Sequence, residues 1–450
     1  MKSREQFSGR WAAIFAMAGS AIGLGNIWRF PYMVGQNGGA AFVLLYIVFV
    51  FFLSLPIFLC ESVIGRSSHS NTFGAMRTLA PGTAWKWLGL LTVLSPALIL
   101  SYYSVVGGWS AGFLLESVTK GFAEGSGAEG FAAFTSSKYL PTACNFVFLS
   151  LTAIIVRLGV KKGIELFNKI SIPLLFVLIL AIAVYSLTLP GAGEGVSYLL
   201  KPDFSRMGLR SVAYAMGQGF FSLSLGVGTV LVYSSYMSKS EDLVFSASGT
   251  AVFDMFFALI AGFAVIPAVF SAGIEPGAGP GLVFETLPYV FGSMGAVSPL
   301  LSRVVSVLFF LTLLVAALTS SISMLEVVVA YLSEERGMTR RAACLLSFAV
   351  ILAASTLVTL SFGPLKDVRL AGMPVMDFLD TLTSNYFMTA GALLFVIFVG
   401  WKMDKARVRD ELTLGGSVRR NCILFEPLYF MIRYVAPLVI VLIFITNFIL

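Results

Sequence analysis

Eleven apolar runs, most of them twenty or more residues long, restrict this chain more than any other feature. About 20 apolar residues wound as a helix cross a hydrocarbon core roughly 30 Å thick. Inside lipid each backbone polar group must find its partner within the protein, which leaves helices as the natural solution for runs of this kind. We read spans at roughly 11–36, 41–65, 87–118, 140–157, 165–189, 209–237, 242–270, 301–332, 341–361, 377–401 and 427–449. With 58% hydrophobic and 12% charged residues among 450, against about 25% charged in soluble domains, an all-α integral membrane protein is expected.

Orientation follows from the loops. Lys2, Arg4, Arg10, Arg66, Arg77, Lys86, Arg157, Lys161, Lys162, Arg340 and Lys402 crowd one side, and the other side is sparsely basic. The excess of lysine and arginine marks the cytoplasmic face. The N-terminus is therefore expected inside and Leu450 outside, in the cell inner (plasma) membrane. The net charge of +7 is mostly this bias and gives no sign of nucleic acid. "MKSREQ" followed by "AMAGSA" imitates a secretory signal, but the run continues through Arg29 and Pro31 and reads as a first span. Cys60, Cys144, Cys344 and Cys422 are scattered without a CxxC, which suggests neither a disulfide framework nor a metal cluster. His69, the single histidine, lies in a polar loop and reads as solvated, so no enzyme is expected.

Two spans are interrupted. "GSAIGLGNIWRFPY" places Gly19, Gly23, Gly25, Asn26 and Arg29 where a bilayer favours leucine. A glycine cluster permits positive φ and close backbone approach, and backbone unwound at membrane depth must line a cavity or hold a ligand. Helix packing through Gly19 and Gly23 is the bland alternative. In "YAMGQGFFSLSLGVGTVLVYSSY" the same happens again: Gly217, Gly219, Gly226 and Gly228 bracket Ser222 and Ser224, with Gln218 nearby. Interruptions at corresponding places in two halves point to a secondary transporter built from inverted repeats.

With both breaks in view, "GSAIGLGNIWRFPY", "NGGAAF" (37–42), "GQGFFSLSLGVG" and "ALTSSIS" (317–323) closely resemble the signatures of the neurotransmitter:sodium symporter family, particularly its bacterial amino-acid transporters. The resemblance covers nearly the whole chain. It implies a leucine-transporter-like fold of 11 helices: a first five-helix repeat over 1–200, a second inverted repeat over 201–405, and a cytoplasmic loop with span eleven over 406–450. Many relatives have a twelfth span, so their dimer contacts do not carry over and the oligomer stays open.

The resemblance also implies two sodium sites. One takes the carbonyls of Ala21 and Ser222, the side chains of Asn26, Ser222 and Asp254, and the substrate carboxylate. The other takes the carbonyls of Gly19, Ile22 and Ala316 with the hydroxyls of Thr319 and Ser320. Hard oxygen ligands suit such an ion, although a serine or threonine in a membrane helix commonly bonds back to its own helix. Two sodium ions crossing 100 mV with a neutral substrate contribute about 4.6 kcal/mol, roughly three decades of accumulation. Chloride-dependent relatives carry asparagine in place of Asp254 and bind chloride near the positions of Tyr46, Gln218 and Ser222. An acid there is expected to make chloride unnecessary, and once sodium leaves it is expected to carry a proton outward.

For the substrate, the amides of Leu24 and Gly25 at a half-helix end suit a carboxylate, with Tyr103 assisting by resemblance. Monoamine carriers of the family place an aspartate at the position of Gly23; its absence favours an amino acid. Ile99, Phe221, Val227, Ser320 and Met324 form the implied side-chain pocket, with Ala21, Ser222 and Ser224 beside it. The set carries no charge, so hydrophobic L-amino acids are expected. Val227, where some relatives have phenylalanine, leaves room for aromatic ones.

Arg29 is an intramembrane charge, and such charges are usually functional. The family pairs it with an aspartate of span ten, Asp377, with Asp380 as a competitor one turn on. Arg4 and Glu334 resemble the cytoplasmic latch, in which Glu334 replaces the usual aspartate and Phe7 the usual tryptophan. Gly163 and Pro173 enclose nine residues of span five, a family pattern at which the helix can unwind. Three rivals from other classes remain. Gly108 to Gly112 matches a GxSxG elbow but lies in an apolar helix without a histidine partner. A sodium channel and a transport-silent sensor are separated from a carrier only by flux.

Overall fold

The computed structural model describes residues 5–123, 127–273 and 283–449. Nine unbroken helices among them are long and apolar enough to cross a bilayer. They are Ala40–Ser68 (span two), Lys86–Thr119 (three), Leu140–Arg157 (four), Val160–Leu187 (five), Leu243–Ser271 (seven), Pro299–Glu335 (eight), Arg340–Leu360 (nine), Val375–Lys402 (ten) and Arg419–Ile445 (eleven). Helix pairs occupy the two remaining places. Span one comprises Arg10–Ala21 and Gly25–Gln36, bent by 52°. Span six comprises Leu209–Ser222 and Thr229–Ser234, parted by residues 223–228.

Polar residues within the spans are absorbed locally. Thr92, Ser110, Ser117, Thr152 and Thr250 each donate to the carbonyl four residues earlier, which satisfies a hydroxyl without help from water. Ser110 is thus a buried mid-helix residue on Val106 O, 3.0 Å away, and no strand-to-helix elbow exists for a GxSxG nucleophile. The outer faces are apolar: Phe52, Val177, Leu345, Val350 and Leu438 are each more than half exposed. Such a surface is stable against lipid tails and not against water. Inside, span eight packs along span three, and span one is wedged between spans five, seven and eight.

Several expectations shift in detail. Span five begins at Val160 and span eleven at Arg419, earlier than the apolar pattern indicates, because their first turns carry Lys161, Lys162, Arg419 and Arg420. The Gly163–Pro173 interval is helical, with wide π-type turns over Val160–Glu165 and Pro173 inside Leu166–Leu187. Short helices lie outside the spans at Thr72–Leu79, Ala128–Ser136, Ala192–Leu200, Thr286–Val297 and Lys405–Thr413. His69 is half-buried rather than solvated: it ends span two in a left-handed conformation, and its Nδ1 lies 3.1 Å from Ser235 O. The four cysteines are free thiols.

Candidate functional site

Span one stops at Ile22 because the next two amides find other partners. Gly23 N–H donates to Asn26 Oδ1 (3.0 Å) and Leu24 N–H to Tyr103 Oη (3.2 Å). In an unbroken helix those amides would serve the carbonyls of Gly19 and Ser20. Hydroxyls serve the carbonyls of Ser20 and Ile22 instead. Ser224 Oγ donates to Ser20 O at 3.0 Å, Ser320 Oγ lies 3.2 Å from Ser20 O and 3.3 Å from Ile22 O, and Thr319 Oγ1 donates to Ile22 O at 3.0 Å. Glycine at position 23 lets both hydroxyls approach, since a Cβ there would stand 2.3 Å from Ser320 Oγ and 2.8 Å from Tyr103 Oη and would push them aside.

The break in span six rests on left-handed backbone at Ser224, Gly226 and Gly228. Gly226 also allows a direct approach to span ten: a Cβ on it would lie 2.0 Å from Met388 O, and one on Gly391 would lie 2.1 Å from Gly226 O. Its amide donates to Glu61 Oε1 of span two at 2.7 Å. Gln218 Nε2 reaches across to Gly25 O (3.2 Å) and so joins the two breaks.

Around this junction two groups of hard oxygens form. In the first, Asn26 Nδ2 lies 2.7 Å from Asp254 Oδ1 and 3.1 Å from Ser222 Oγ, and Ser222 Oγ donates to Asp254 Oδ2 at 2.7 Å. Tyr46 Oη completes it, 3.3 Å from Asp254 Oδ2 and 3.4 Å from Ser222 Oγ. In the second, Thr319 Oγ1 bridges Ile22 O and Ala316 O, the latter at 2.8 Å, while Gly19 faces Thr319 Cβ, 3.4 Å from where its own Cβ would be.

Beside these oxygens lies a cavity of about 40 Å³, lined by Ala21, Gly23, Gly25, Ile99, Tyr103, Phe221, Ser224, Val227, Ser320, Met324 and Met388. The structure thus gathers the predicted substrate residues, except that Leu24 meets Tyr103 through its amide and Ser222 lies on the ion side. No lining side chain is charged. Phe221 closes the cavity by packing on Gly25, whose Cβ would be 2.9 Å from the ring. Beyond Phe221 opens a vestibule of about 570 Å³ whose walls include Trp28, Arg29, Tyr32, Trp109, Asp377 and Asp380. Among the described residues no ion pair joins Arg29 to either aspartate. Asp380 is engaged with Tyr102 Oη (3.0 Å) and Ser384 Oγ (2.8 Å).

A sequence profile of the sodium:neurotransmitter symporter family matches residues 4–135 and 140–450. The chain belongs to this family. It is 36% identical over 447 residues, 98% of each chain, to an uncharacterized sodium-dependent transporter, YhdH, of Bacillus subtilis. A second sodium-dependent transporter, of Haemophilus influenzae, is 34% identical over 461 residues, covering 99% of this chain and 98% of its own. The sodium-dependent serotonin transporter of Drosophila melanogaster is 27% identical over 451 residues, 88% of this chain and 69% of that one. Among solved structures, MhsT in complex with L-phenylalanine shares 40% identity with a TM-score of 0.88, covering 99% of this chain and 100% of that one. The symporter therefore has the leucine-transporter fold of an all-α membrane transporter and is not an enzyme.

At the end of the symporter opposite the vestibule, the predicted latch is only half described. Arg4 lies outside the described residues. Glu334 accepts from the amide and side chain of Asn71, at 2.8 and 2.9 Å. Phe7 is buried edge-on between Tyr233 and Tyr236, and its N–H donates to Tyr236 O at 3.0 Å. Glu5 accepts from Val160 N–H at 2.7 Å, and Ser8 donates to Glu165.

Sequence reasoning missed four residues of this machinery: Glu61, Met388, and the pair Glu326 and Arg340. Glu326 Oε2 lies 2.5 Å from Arg340 and its Oε1 accepts from Tyr236 Oη at 2.6 Å. The same signal that flagged Arg29, a charge inside an apolar run, was present at Glu61 and Glu326. Met388 gave none.

Proposed function

We propose that this family member imports hydrophobic L-amino acids, branched aliphatic and aromatic, by sodium-coupled alternating access. The observation that carries the reading is the uncharged cavity at the meeting of two broken helices, next to backbone amides and two groups of hard oxygens. The amides of Leu24 and Gly25 would hold the substrate carboxylate, displacing Tyr103 Oη from Leu24 N–H. A charged substrate side chain in this cavity would be buried without a partner and strongly disfavoured. In the small cavity, Val227 and two flexible methionines, Met324 and Met388, would have to yield to admit an aromatic ring. That a 40% identical transporter has been solved with L-phenylalanine supports such a substrate.

Two sodium ions are assigned, one to Ala21, Asn26, Ser222 and Asp254, the other to Gly19, Ile22, Ala316, Thr319 and Ser320. In the described geometry Thr319 and Ser320 bond to the carbonyls themselves, so an arriving ion would turn these hydroxyls from donors toward carbonyls into ligands of the cation. Asp254 beside Tyr46 and Ser222 supplies the negative charge that chloride gives in other members, so chloride is dispensable and a proton is the return cargo. The N-terminus is cytoplasmic, with Arg4 and Glu334 in its latch. The vestibule faces outward and is gated by Arg29 and Asp377. The halves 1–200 and 201–405 are inverted repeats, in a plasma membrane.

The deciding experiment is uptake of radiolabelled leucine, phenylalanine, tyrosine and alanine into proteoliposomes under imposed sodium gradients. Concentrative uptake that vanishes when choline replaces external sodium supports the reading. Undiminished accumulation without sodium overturns it.

A further inference from the structure

Asn168 sits midway between Gly163 and Pro173 of span five and is completely buried. Its Nδ2 donates to Ile164 O at 2.8 Å. That bond fixes the orientation of the amide, because the reversed group would set two acceptors against each other. Oδ1 is left without a partner. It points at span one: a Cβ built on Gly19 would stand 1.8 Å from Asn168 Oδ1 and 3.4 Å from Thr319 Cβ. The missing side chain of Gly19 is what lets this oxygen in. A buried acceptor with no donor needs an explanation, and a packing role alone would be met by an apolar side chain of similar size.

We propose that Asn168 Oδ1 is an auxiliary oxygen ligand for the cation at the second ion position, approaching it from the span-five side. The proposal rests on the reading of Gly19, Ile22, Ala316, Thr319 and Ser320 as a sodium site. An amide oxygen is a hard, neutral donor, so it adds to the ion's shell without changing the charge that crosses the membrane. It also rides on the one element of the site whose glycine and proline permit unwinding. When span five withdraws, the ligand withdraws with it, and the remaining shell holds the ion less tightly.

The test uses purified full-length protein with sodium alone as the probe, following the thermal unfolding midpoint as NaCl replaces choline chloride at constant ionic strength. Even groups that only support the ligands of a metal site change its affinity by about 10- to 100-fold when removed. Asn168→Ala is expected to raise the half-saturating sodium concentration at least tenfold, and Asn168→Asp, which keeps an oxygen there, is expected to restore the response or tighten it. A purely structural role would lower the midpoint at every sodium concentration and leave half-saturation unmoved, which would overturn the proposal. Asn168→Leu provides the same reading should the alanine variant fail to fold. Thr319→Ala separates the two levels: a shifted response there with none at Asn168 defeats this proposal alone, and no shift at either defeats the site reading together with it.

Discussion

The guanidinium of Arg29 lies 4.5 Å from the centroid of the Phe221 ring, and that ring closes the cavity between the two broken helices. Stacking of this kind contributes about 0.5–2 kcal/mol. Arg29 therefore holds the lid before it meets any carboxylate. Arg29→Lys keeps the charge but loses the planar stack. It should raise the substrate concentration for half-maximal uptake severalfold while leaving sodium dependence intact. Unaltered uptake in the lysine variant would show that the stack does not matter.

Asp377 is the better candidate for the outer gate, because Asp380 already serves Tyr102 and Ser384. Asp377→Asn should reduce uptake at least tenfold, and a double change with Arg29→Gln should cost less than the two single effects summed. Uptake assays of the four proteins provide the cycle. Full activity in Asp377→Asn with loss in Asp380→Asn would transfer the gate to the second aspartate.

Val227 lines the cavity, and on the proposed reading it limits the volume open to a substrate side chain. Val227→Phe should weaken binding of phenylalanine and tyrosine far more than that of alanine, since overpacking of about 1–3 kcal/mol falls on the bulkiest partner. Competition binding with the two size classes measures it. Equal losses would remove Val227 from the pocket.

Asp254 is bonded to both Asn26 and Ser222, so its neutral replacement should be felt by sodium first. Asp254→Asn should raise half-saturating sodium at least tenfold. With Ala258→Ser added one helical turn on, uptake should become chloride-dependent. Replacing chloride with gluconate checks both proteins. Wild-type uptake that stops in gluconate would defeat the charge-substitution idea.

Glu411, in the loop helix after span ten, accepts from Arg66 Nε at 2.6 Å and from Lys239. Arg66 also donates to the carbonyls of Glu241 and Glu411. Burial pushes the Glu411 carboxyl up, but the hydrogen bonds and charges of Lys239 and Arg66 more than offset it and hold it below its ordinary value. A lowered carboxyl stabilises the fold fully above its unfolded value, about 4.3, and that contribution fades as pH falls through the folded value. Detergent stability should therefore be insensitive to this group from pH 6 to 8 and decline only below about pH 4.3. Glu411→Gln strands the buried Arg66 and should cost about 3–5 kcal/mol at neutral pH, visible as a drop in the unfolding midpoint. An unchanged midpoint would mean that the loop is not clamped.

What could be read in advance was what leaves a local mark. Glycines in apolar runs revealed the breaks in spans one and six, because a bilayer tolerates unwound backbone only where other protein groups, a cavity or a ligand satisfy it. Hydroxyls at Thr319 and Ser320 became legible through the company they keep. Asn168 and Met388 did not, since each acquires meaning only from a span distant in sequence. Glu61 and Glu326 were legible by the rule applied to Arg29 and were overlooked. The short helices between spans lack a twenty-residue signature, and neither Gly163 nor Pro173 by itself indicates whether the interval between them is wound.

The contact between Gly226 and the Met388–Gly391 turn has a mechanical meaning. Two main chains meet there with no side chain between them, so nothing can bend or rotate to take up play. A movement of span ten at Met388 and Gly391 therefore meets the unwound loop of span six directly, as one cog meets another. Spans six and ten are thereby geared together at that point, and a single methyl group at either glycine would jam the train.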